Sequence, residues 1–169
     1  MSRLKQFLGR FTGGVDVRFI QEADVLACTD MALASLQEHK TAVGPDSCES
    51  IRMWFTGVSS RQMPVATFVA YRGLHVLGMV CCAMVQPDLW DSRPTMSVWW
   101  LYVQPECRKS PKVVNALLRA CRAFADAFGA QRCRIMVDDE HKALVARYEK
   151  SFGFVKEQSV SIYSMELEG

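Results

Sequence analysis

The densest cluster of groups able to move a proton is a run of three carboxylates and an imidazole: Asp138, Asp139, Glu140 and His141. Carboxylate and imidazole side chains act as general bases when they can reach the reacting proton. The same residue types are common in solvated turns, where an aspartate caps the following helix. The sequence leaves both interpretations open.

Metal and thiol chemistry have less support. The histidines, His39, His75 and His141, are far apart and have no cysteine or carboxylate at ligand spacing, which argues against a zinc or other catalytic metal site. Cys107 stands beside Arg108, whose charge could lower the pKa of a thiol. The sequence identifies no histidine that could act as the base for a nucleophilic cysteine.

Composition predicts one globular domain. The chain has 169 residues, 50% of them hydrophobic, with a net charge of +2, too small for nucleic acid to be the expected partner. Seven cysteines without CxxC spacing suggest reduced thiols in a cytoplasm. No apolar window reaches the roughly 18 residues of a membrane span, and the first residues lack a secretion signal. We therefore expect a cytoplasmic protein without a transmembrane segment.

The most regular helical pattern covers residues 113–128, between strand patterns at residues 96–103 and 132–137. Gly129 is placed to end this helix, whose predicted apolar face carries Val113, Leu117, Ala120, Phe124 and Phe128. A connection of this length makes a crossover between parallel strands.

The other elements complete an α/β (α+β) fold. A strand at residues 15–19 leads into a helix that opens at Glu22-Ala23-Asp24, and a turn at residues 44–47 precedes a second helix that ends near Gly57. Residues 65–71 and 74–85 form a hairpin around Arg72-Gly73, and a late helix and a strand at residues 159–167 finish the chain. We expect a mixed, mostly antiparallel sheet with helices on both faces.

Residues 1–14 form a separate amphipathic extension before the domain at residues 15–169. Leu4, Phe7, Leu8 and Phe11 recur at helical spacing before Gly13-Gly14. Such a helix could lie on the domain's own surface or dock onto a partner or membrane surface. The oligomeric state is not determined by these patterns.

The element order and four segments resemble the GNAT superfamily of acyl-CoA-dependent N-acyltransferases over about residues 15–167. The segments are VDVRFIQEADV, VATFVAYRGLHVLGMVCCAMV with its glycine at Gly78, LYVQPECRKSPKVVNALL, and ARYEKSFGF. The third is similar to the family's cofactor motif, and the last to the end of its final helix. The resemblance implies transfer of an acetyl or short acyl group from acetyl-CoA to a primary amine of a small molecule or protein.

In the family, backbone N–H groups of the loop and of the following helix hold the CoA pyrophosphate. Val103, Pro105 and Arg108 fit that motif, whereas Pro111 and Val113 stand where the family has glycines. One hypothesis is that Arg108, Lys109 and Lys112 pair with the phosphates while Ser110 donates its hydroxyl and Pro111 is the first helical residue. The other is that the loop has lost CoA and the helix start at Val113 is structural.

The resemblance also implies two catalytic elements. A backbone N–H in the stretch Leu101, Tyr102 and Val103 would polarise the acyl carbonyl, and Tyr148 would protonate the departing thiolate as a general acid. The segment SFGF has one residue more than the usual ending, so Tyr148 could instead complete an apolar stripe with Leu144 and Phe152. No general base can be named.

A second functional hypothesis is a non-catalytic GNAT-like module for binding or assembly, which docks onto a partner protein through residues 1–14. Its basis is the replaced glycines and the missing base. Compact chains of this kind also resemble some that are encoded by tailed bacteriophages, so this hypothesis includes a virion-associated setting.

Overall fold

The computed structural model describes residues 10–11, 14–41, 43–44, 46–85 and 92–135, all within the compact unit Met1–Met136. Six strands in this part of the chain form one sheet in sequence order. They are β1 (Arg10–Phe11), β2 (Val15–Phe19), β3 (Ala66–Arg72), β4 (His75–Val85), β5 (Thr95–Val103) and β6 (Arg132–Ile135). Neighbouring strands are antiparallel except β5 and β6, which are parallel. The predicted mixed sheet is confirmed.

Three α-helices flank this sheet in the described residues: α1 (Val25–Glu38), α2 (Ser47–Ser59) and α3 (Lys112–Ala127). The predicted crossover is confirmed, because α3 connects the parallel strands β5 and β6. None of the helices in the described ranges is both long and apolar enough to cross a membrane.

One core lies between α3 and the sheet. The rings of Phe19 and Phe68 are 4.6 Å apart, and Phe124 of α3 closes the cluster with its centroid 5.9 Å from that of Phe68. Leu117 and Val113 are buried beside it. Burial of each such side chain contributes about 1.5–3 kcal/mol, so the apolar stripe of α3 fixes this helix on the sheet.

Phe128 continues this stripe as a contact of Phe124, with 4.6 Å between the ring centroids, but its side chain is 58% exposed and does not enter the core. Phe128 is the C-cap of α3, one position beyond the last helical residue. The N–H of Ala130 then bonds to Ala125 and that of Gly129 to Asp126, with Gly129 at φ 71°. This pair of bonds is a Schellman motif, so the predicted role of Gly129 in ending the helix is confirmed.

The second core lies on the other face of the sheet, under α1 and α2. Val69, Met79 and Tyr102 are aligned across β3, β4 and β5. Against them pack buried side chains of the two helices: Cys28, Met31, Ala32, Phe55 and Val58. Helices therefore cover both faces, as predicted.

Asp24 connects the start of α1 to β2 through hydrogen bonds. Its carboxylate accepts two hydrogen bonds from the Arg18 guanidinium and one from the backbone N–H of Gln21 at 2.8 Å. The guanidinium lies over the ring of Tyr71, 4.9 Å from its centroid. We call Arg18, Asp24 and Tyr71 the N-terminal clamp of α1.

Some local predictions need correction. The hairpin turn consists of Gly73 and Leu74, because Arg72 still pairs with His75, and Gly73 takes the positive φ of 60° that this turn requires. Helix α2 continues beyond Gly57 to Ser59. Phe11 pairs with Val15 in an extended strand, so the predicted helix of residues 1–14 does not include it.

Other predictions lie outside the described residues. They are the remainder of the N-terminal helix, the late helix with Tyr148, the final strand, and the cluster Asp138, Asp139, Glu140 and His141.

Candidate acyl-transfer site

A β-bulge divides β5. Cys81 of β4 pairs with Trp100, but the next residue, Cys82, pairs with Val98, so Trp99 is an extra residue. Such an insertion bends its strand and increases the local twist. The described part of β6 pairs with Thr95–Val98, whereas residues 100–103 have ladder partners only on β4 within the described residues. The bulge therefore separates a half of β5 that is paired on both sides from a half that leads into the cofactor motif.

Alternate residues of β5 hydrogen-bond to β4, and this alternation decides which backbone N–H groups could reach a ligand. Gln104 donates its N–H to the Leu77 carbonyl at 3.0 Å. Only alternate pairs of an antiparallel ladder exchange hydrogen bonds, so Tyr102 bonds with Met79. Leu101 and Val103 must then direct their N–H and C=O groups away from β4, toward the side on which β6 lies. Of the three predicted donors, Leu101 and Val103 have the required direction and Tyr102 does not.

Gly78 permits the close approach of β4 to this half of β5. It lies opposite Val103, and a Cβ at this position would be 2.7 Å from the Tyr102 carbonyl oxygen. Because that atom belongs to the backbone, any larger residue would push the strands apart. Gly78 thus sets the position of the outward N–H groups.

The β5–α3 loop, residues 104–111, ends at Pro111, which is the N-cap of α3 rather than its first helical residue. The Pro111 carbonyl accepts the first helical bond from Asn115 at 2.9 Å. The Ser110 hydroxyl oxygen accepts a hydrogen bond from the Lys112 N–H at 3.4 Å, which leaves its own hydrogen available to donate. The first-turn N–H groups of Val113 and Val114 have no carbonyl one turn earlier to bond. The helix start keeps backbone donors even though both glycine positions are occupied by other residues.

The four polar side chains predicted to bind phosphate differ in exposure and in direction. Lys109 and Lys112 are exposed, and Ser110 is half-buried at the start of α3. Arg108 turns back toward the sheet. Its Nε donates to the Val103 carbonyl at 2.8 Å, and its Nη2 donates to both carboxylate oxygens of Glu38 at 2.9 and 2.8 Å.

Tyr102 completes this arrangement at the C-terminal end of α1. Its hydroxyl donates to Glu38 at 3.0 Å, and the Arg108 guanidinium lies 5.1 Å from the centroid of its ring. Burial raises the pKa of Tyr102, and the hydrogen bond to Glu38 raises it further, so the phenol stays protonated at neutral pH. We call Glu38, Tyr102 and Arg108 the C-terminal clamp of α1.

The sequence did not reveal this clamp. Glu38 and Arg108 are separated by 70 positions, and a glutamate that ends a helix carries no pattern that predicts a distant partner. The family resemblance identified the backbone of Tyr102 but gave no role to its side chain. The alternation of side chains along β5 could not assign a role to the Tyr102 side chain either, because the bulge at Trp99 interrupts that alternation.

Charge is distributed unequally between the two helical layers. The segment from Glu22 to Ser59 carries more acidic than basic residues, namely Glu22, Asp24, Asp30, Glu38, Asp46 and Glu49 against Lys40 and Arg52. The segment from Gln104 to Ile135 has the opposite balance: Arg108, Lys109, Lys112, Arg119, Arg122, Arg132 and Arg134 against Glu106 and Asp126. The α3 side therefore favours anions and the α1–α2 side favours cations.

An open cleft of about 370 Å³ lies between α1 and α2. Its lining includes the side chains of Leu36 and Ile51 together with Asp46, Ser47 and Ser50. It combines an apolar wall with a carboxylate and two hydroxyls on the acidic side of the domain.

Two cysteines in the strands have raised thiol pKa values. Burial raises the pKa of Cys81 to about 12 and that of Cys133 to about 11, so both are neutral thiols at physiological pH. No three His, Cys, Asp or Glu side chains come together as metal ligands in the ranges that the structure covers.

The sequence matches the model of the Acetyltransferase (GNAT) family over residues 30–154. The chain belongs to the GNAT family. The matched range includes the bulged strand β5, the β5–α3 loop and α3, and it supports N-acetyltransferase activity in general. None of the curated proteins is similar to this GNAT chain in sequence.

Solved structures agree on the GNAT fold. The aminoglycoside N-acetyltransferase AAC(6')-Iy, in complex with CoA, has a TM-score of 0.74 at 14% identity, with 90% of this chain and 95% of that one covered. The aminoglycoside acetyltransferase meta-AAC0020, from an uncultured soil metagenomic sample and in complex with sisomicin, has a TM-score of 0.70 at 16% identity over 94% and 100%. A transcriptional regulator from Bacillus halodurans C-125 has a TM-score of 0.70 at 15% identity over 90% and 99%. At these identities the likeness shows the fold and not the substrate.

Proposed function

We propose that this protein transfers an acetyl or short acyl group from acyl-CoA, with acetyl-CoA as the co-substrate, to a primary amine of a small molecule or protein. The observation that carries the proposal is the half of β5 after the bulge at Trp99. There, Leu101 and Val103 direct backbone N–H groups away from β4, directly before a loop that leads into the N-terminus of α3.

The residues at the start of α3 fit the pyrophosphate of CoA. Unbonded N–H groups and the positive end of the helix dipole attract phosphate whatever side chains the residues carry. The N–H groups of Val113 and Val114 would therefore bind phosphate oxygens, and the exposed ammonium groups of Lys109 and Lys112 would pair with the remaining charge. Pro111 does not interfere, because the bonds that a helix start offers come from the residues after it.

CoA supplies the acyl group as a thioester, and this chain's part is to position it and to stabilise charge. The N–H of either Leu101 or Val103, which are too far apart along the strand to reach one oxygen together, would donate to the carbonyl oxygen as it gains negative charge. One such donor is worth about 10²–10³ in rate. Tyr148 remains our proposed general acid toward the sulfur. It lies outside the described residues.

The acidic α1–α2 side supports an amine acceptor. An amine is a cation until it loses a proton, and the surplus of carboxylates there would attract it. The cleft with Asp46, Ser47 and Ser50 offers acceptors for an ammonium group and for hydroxyls. Two of the structural neighbours are aminoglycoside acetyltransferases, whose name is consistent with a cationic acceptor here as well.

The first test is calorimetric titration of the protein with acetyl-CoA and CoA. We expect micromolar binding that weakens about tenfold when Lys109 and Lys112 are both changed to alanine, because each charge-assisted contact contributes a fraction of this loss. Arg119→Ala is the matched control, since Arg119 is an exposed cation further along α3. A panel of amines, with release of free thiol as the readout, would then identify the acceptor.

Absence of binding at millimolar acetyl-CoA would contradict the proposal. It would favour the alternative of a non-catalytic module that docks through residues 1–14, which no contact in the described residues supports. Deletion of residues 1–14 would then be expected to abolish co-purification of the partner.

A further inference from the structure

Arg108 has two possible roles at this site that exclude each other. The cofactor motif suggests a cation that pairs with phosphate. The structure instead places its guanidinium against α1 and β5, where Nε and Nη2 already donate to Val103 and Glu38. A side chain held in this way cannot also extend from the loop toward a phosphate.

The hydrogen bond from Arg108 to the Val103 carbonyl acts on the proposed acyl-transfer site. This carbonyl points away from β4, and so does the N–H of the same residue, because both groups of a strand residue lie on one side of the strand. The hydrogen bond from Arg108 Nε at 2.8 Å therefore holds the end of β5 at Val103, one of the two residues proposed to donate to the acyl oxygen.

Glu38 determines where Arg108 lies. Both of its oxygens accept hydrogen bonds from the single nitrogen Nη2, and one of them also accepts the Tyr102 hydroxyl. Because Nη2 bonds to Glu38 and Nε bonds to Val103, two nitrogens of the guanidinium are held and its orientation is fixed. The Glu38 and Arg108 side chains are 40% and 43% exposed, and ion pairs this accessible add little to stability. Orientation of the guanidinium is thus the main effect of the pair.

We propose that Glu38 is a positioning residue, which holds Arg108 against the Val103 carbonyl and so fixes the backbone N–H of Val103, and that Arg108 is not a phosphate ligand. The catalytic consequence rests on the proposed function. The geometric consequence, an ordered end of β5, does not.

The test uses Glu38→Gln and Arg108→Gln in the full-length protein. If both act by positioning, kcat at saturating acetyl-CoA and saturating amine falls about tenfold in each, since displaced groups lose part of their transition-state bonding. The Kd for CoA changes less than twofold. Glu49→Gln is the matched control, because Glu49 pairs with an arginine, Arg52, on the exposed surface of α2. We expect it to leave both constants unchanged.

A phosphate role for Arg108 predicts the opposite pattern. Glu38→Gln would free the guanidinium and tighten CoA binding, while Arg108→Gln would weaken it tenfold or more at unchanged kcat. That result would overturn the proposal. So would an unchanged kcat in Glu38→Gln.

Amide hydrogen exchange separates this proposal from the proposed function, because it needs no cofactor. We expect the N–H groups of Tyr102 and Gln104, which bond to β4 on either side of Val103, to exchange about tenfold faster in Glu38→Gln and Arg108→Gln than in the wild type or Glu49→Gln. Unchanged exchange would contradict positioning even in an active enzyme. Faster exchange in a protein without acyl transfer would support the positioning of β5 and count against the proposed function alone.

Discussion

The two ends of α1 are held by the same three kinds of side chain. At the N-terminal clamp, Asp24 binds Arg18, which lies over Tyr71. At the C-terminal clamp, Glu38 binds Arg108, which lies over Tyr102. In each case a carboxylate of the helix or its cap holds an arginine from the sheet or its loop. The chemistry is shared, but the surroundings are not.

The difference between the clamps is access to water. The side chain of Asp24 is 6% exposed and that of Arg18 is 27% exposed, against 40% and 43% for Glu38 and Arg108. A carboxylate removed from water needs its partners, and removing them leaves an uncompensated charge. An accessible pair exchanges its partners for water at little cost. The comparison therefore separates a clamp that stabilises the fold from one that orients a site.

The largest effect on stability is expected from the buried clamp. Asp24→Ala should lower the free energy of unfolding by about 2–3 kcal/mol, because it leaves Arg18 half-buried without its partner and Gln21 without the acceptor for its N–H. Denaturant unfolding followed by circular dichroism measures the change. Glu22→Ala, an exposed carboxylate in the same turn, should change stability by less than about 0.5 kcal/mol. Equal losses in the two variants would mean that the buried contacts of Asp24 do not account for its effect on stability.

A smaller effect is expected from the accessible clamp. Glu38→Gln should lower the free energy of unfolding by no more than about 1 kcal/mol, and the loss should shrink in 1 M salt because solvent ions screen accessible charges. Denaturation at low and high salt tests both points. A loss as large as that of Asp24→Ala would mean that Glu38 acts on the fold first and on the site only as a consequence.

The smallest effect concerns pH. The pKa of Tyr102 is raised in the folded protein, so the favoured form is the protonated one. Its contribution to stability is complete below the unfolded pKa of about 10 and is lost as the pH rises through the higher folded pKa. Tyr102→Phe should therefore flatten the alkaline decline in unfolding free energy.

Comparing the wild type with Tyr102→Phe also controls for the other groups that titrate at alkaline pH. The buried thiols Cys81 and Cys133, whose pKa values are raised to about 12 and about 11, cause a decline of the same sign in both proteins. Only the difference between the wild-type and Tyr102→Phe curves of unfolding free energy against pH measures the contribution of Tyr102. Curves that run parallel from pH 8 to pH 11 would show that the phenol does not contribute.

The fold was predictable where the pattern is periodic and long. The stripe with Val113 and Leu117 indicated α3, and its length between two strand patterns required the parallel pair β5 and β6. The predicted bounds of elements were wrong at their ends, where the hydrophobic pattern continues but the helix does not. Phe128 keeps the helical spacing one position beyond α3, and Phe11 keeps it in a segment that pairs as a strand.

The candidate site was predictable only in part, for a different physical reason. A backbone N–H leaves no mark on the side chain of its residue, so Leu101 and Val103 could be separated from Tyr102 only by the hydrogen-bond phase of β5. The Glu38–Arg108 contact depends on the folded chain, since nothing local links the end of a helix to a loop 70 positions later. The sequence could show which residues carry charge but not toward which partner each one turns.

The bulge at Trp99 also affects how this chain compares with its relatives. On one side of it the partner of Val80 is Leu101, and on the other the partner of Cys82 is Val98, so the two halves of β5 follow different registers. A relative whose extra residue falls one position earlier or later needs an alignment gap inside a strand, whereas alignment methods favour gaps in loops. Residue matches across this strand should therefore be made separately for each half, from structure, before any position in it is compared between proteins.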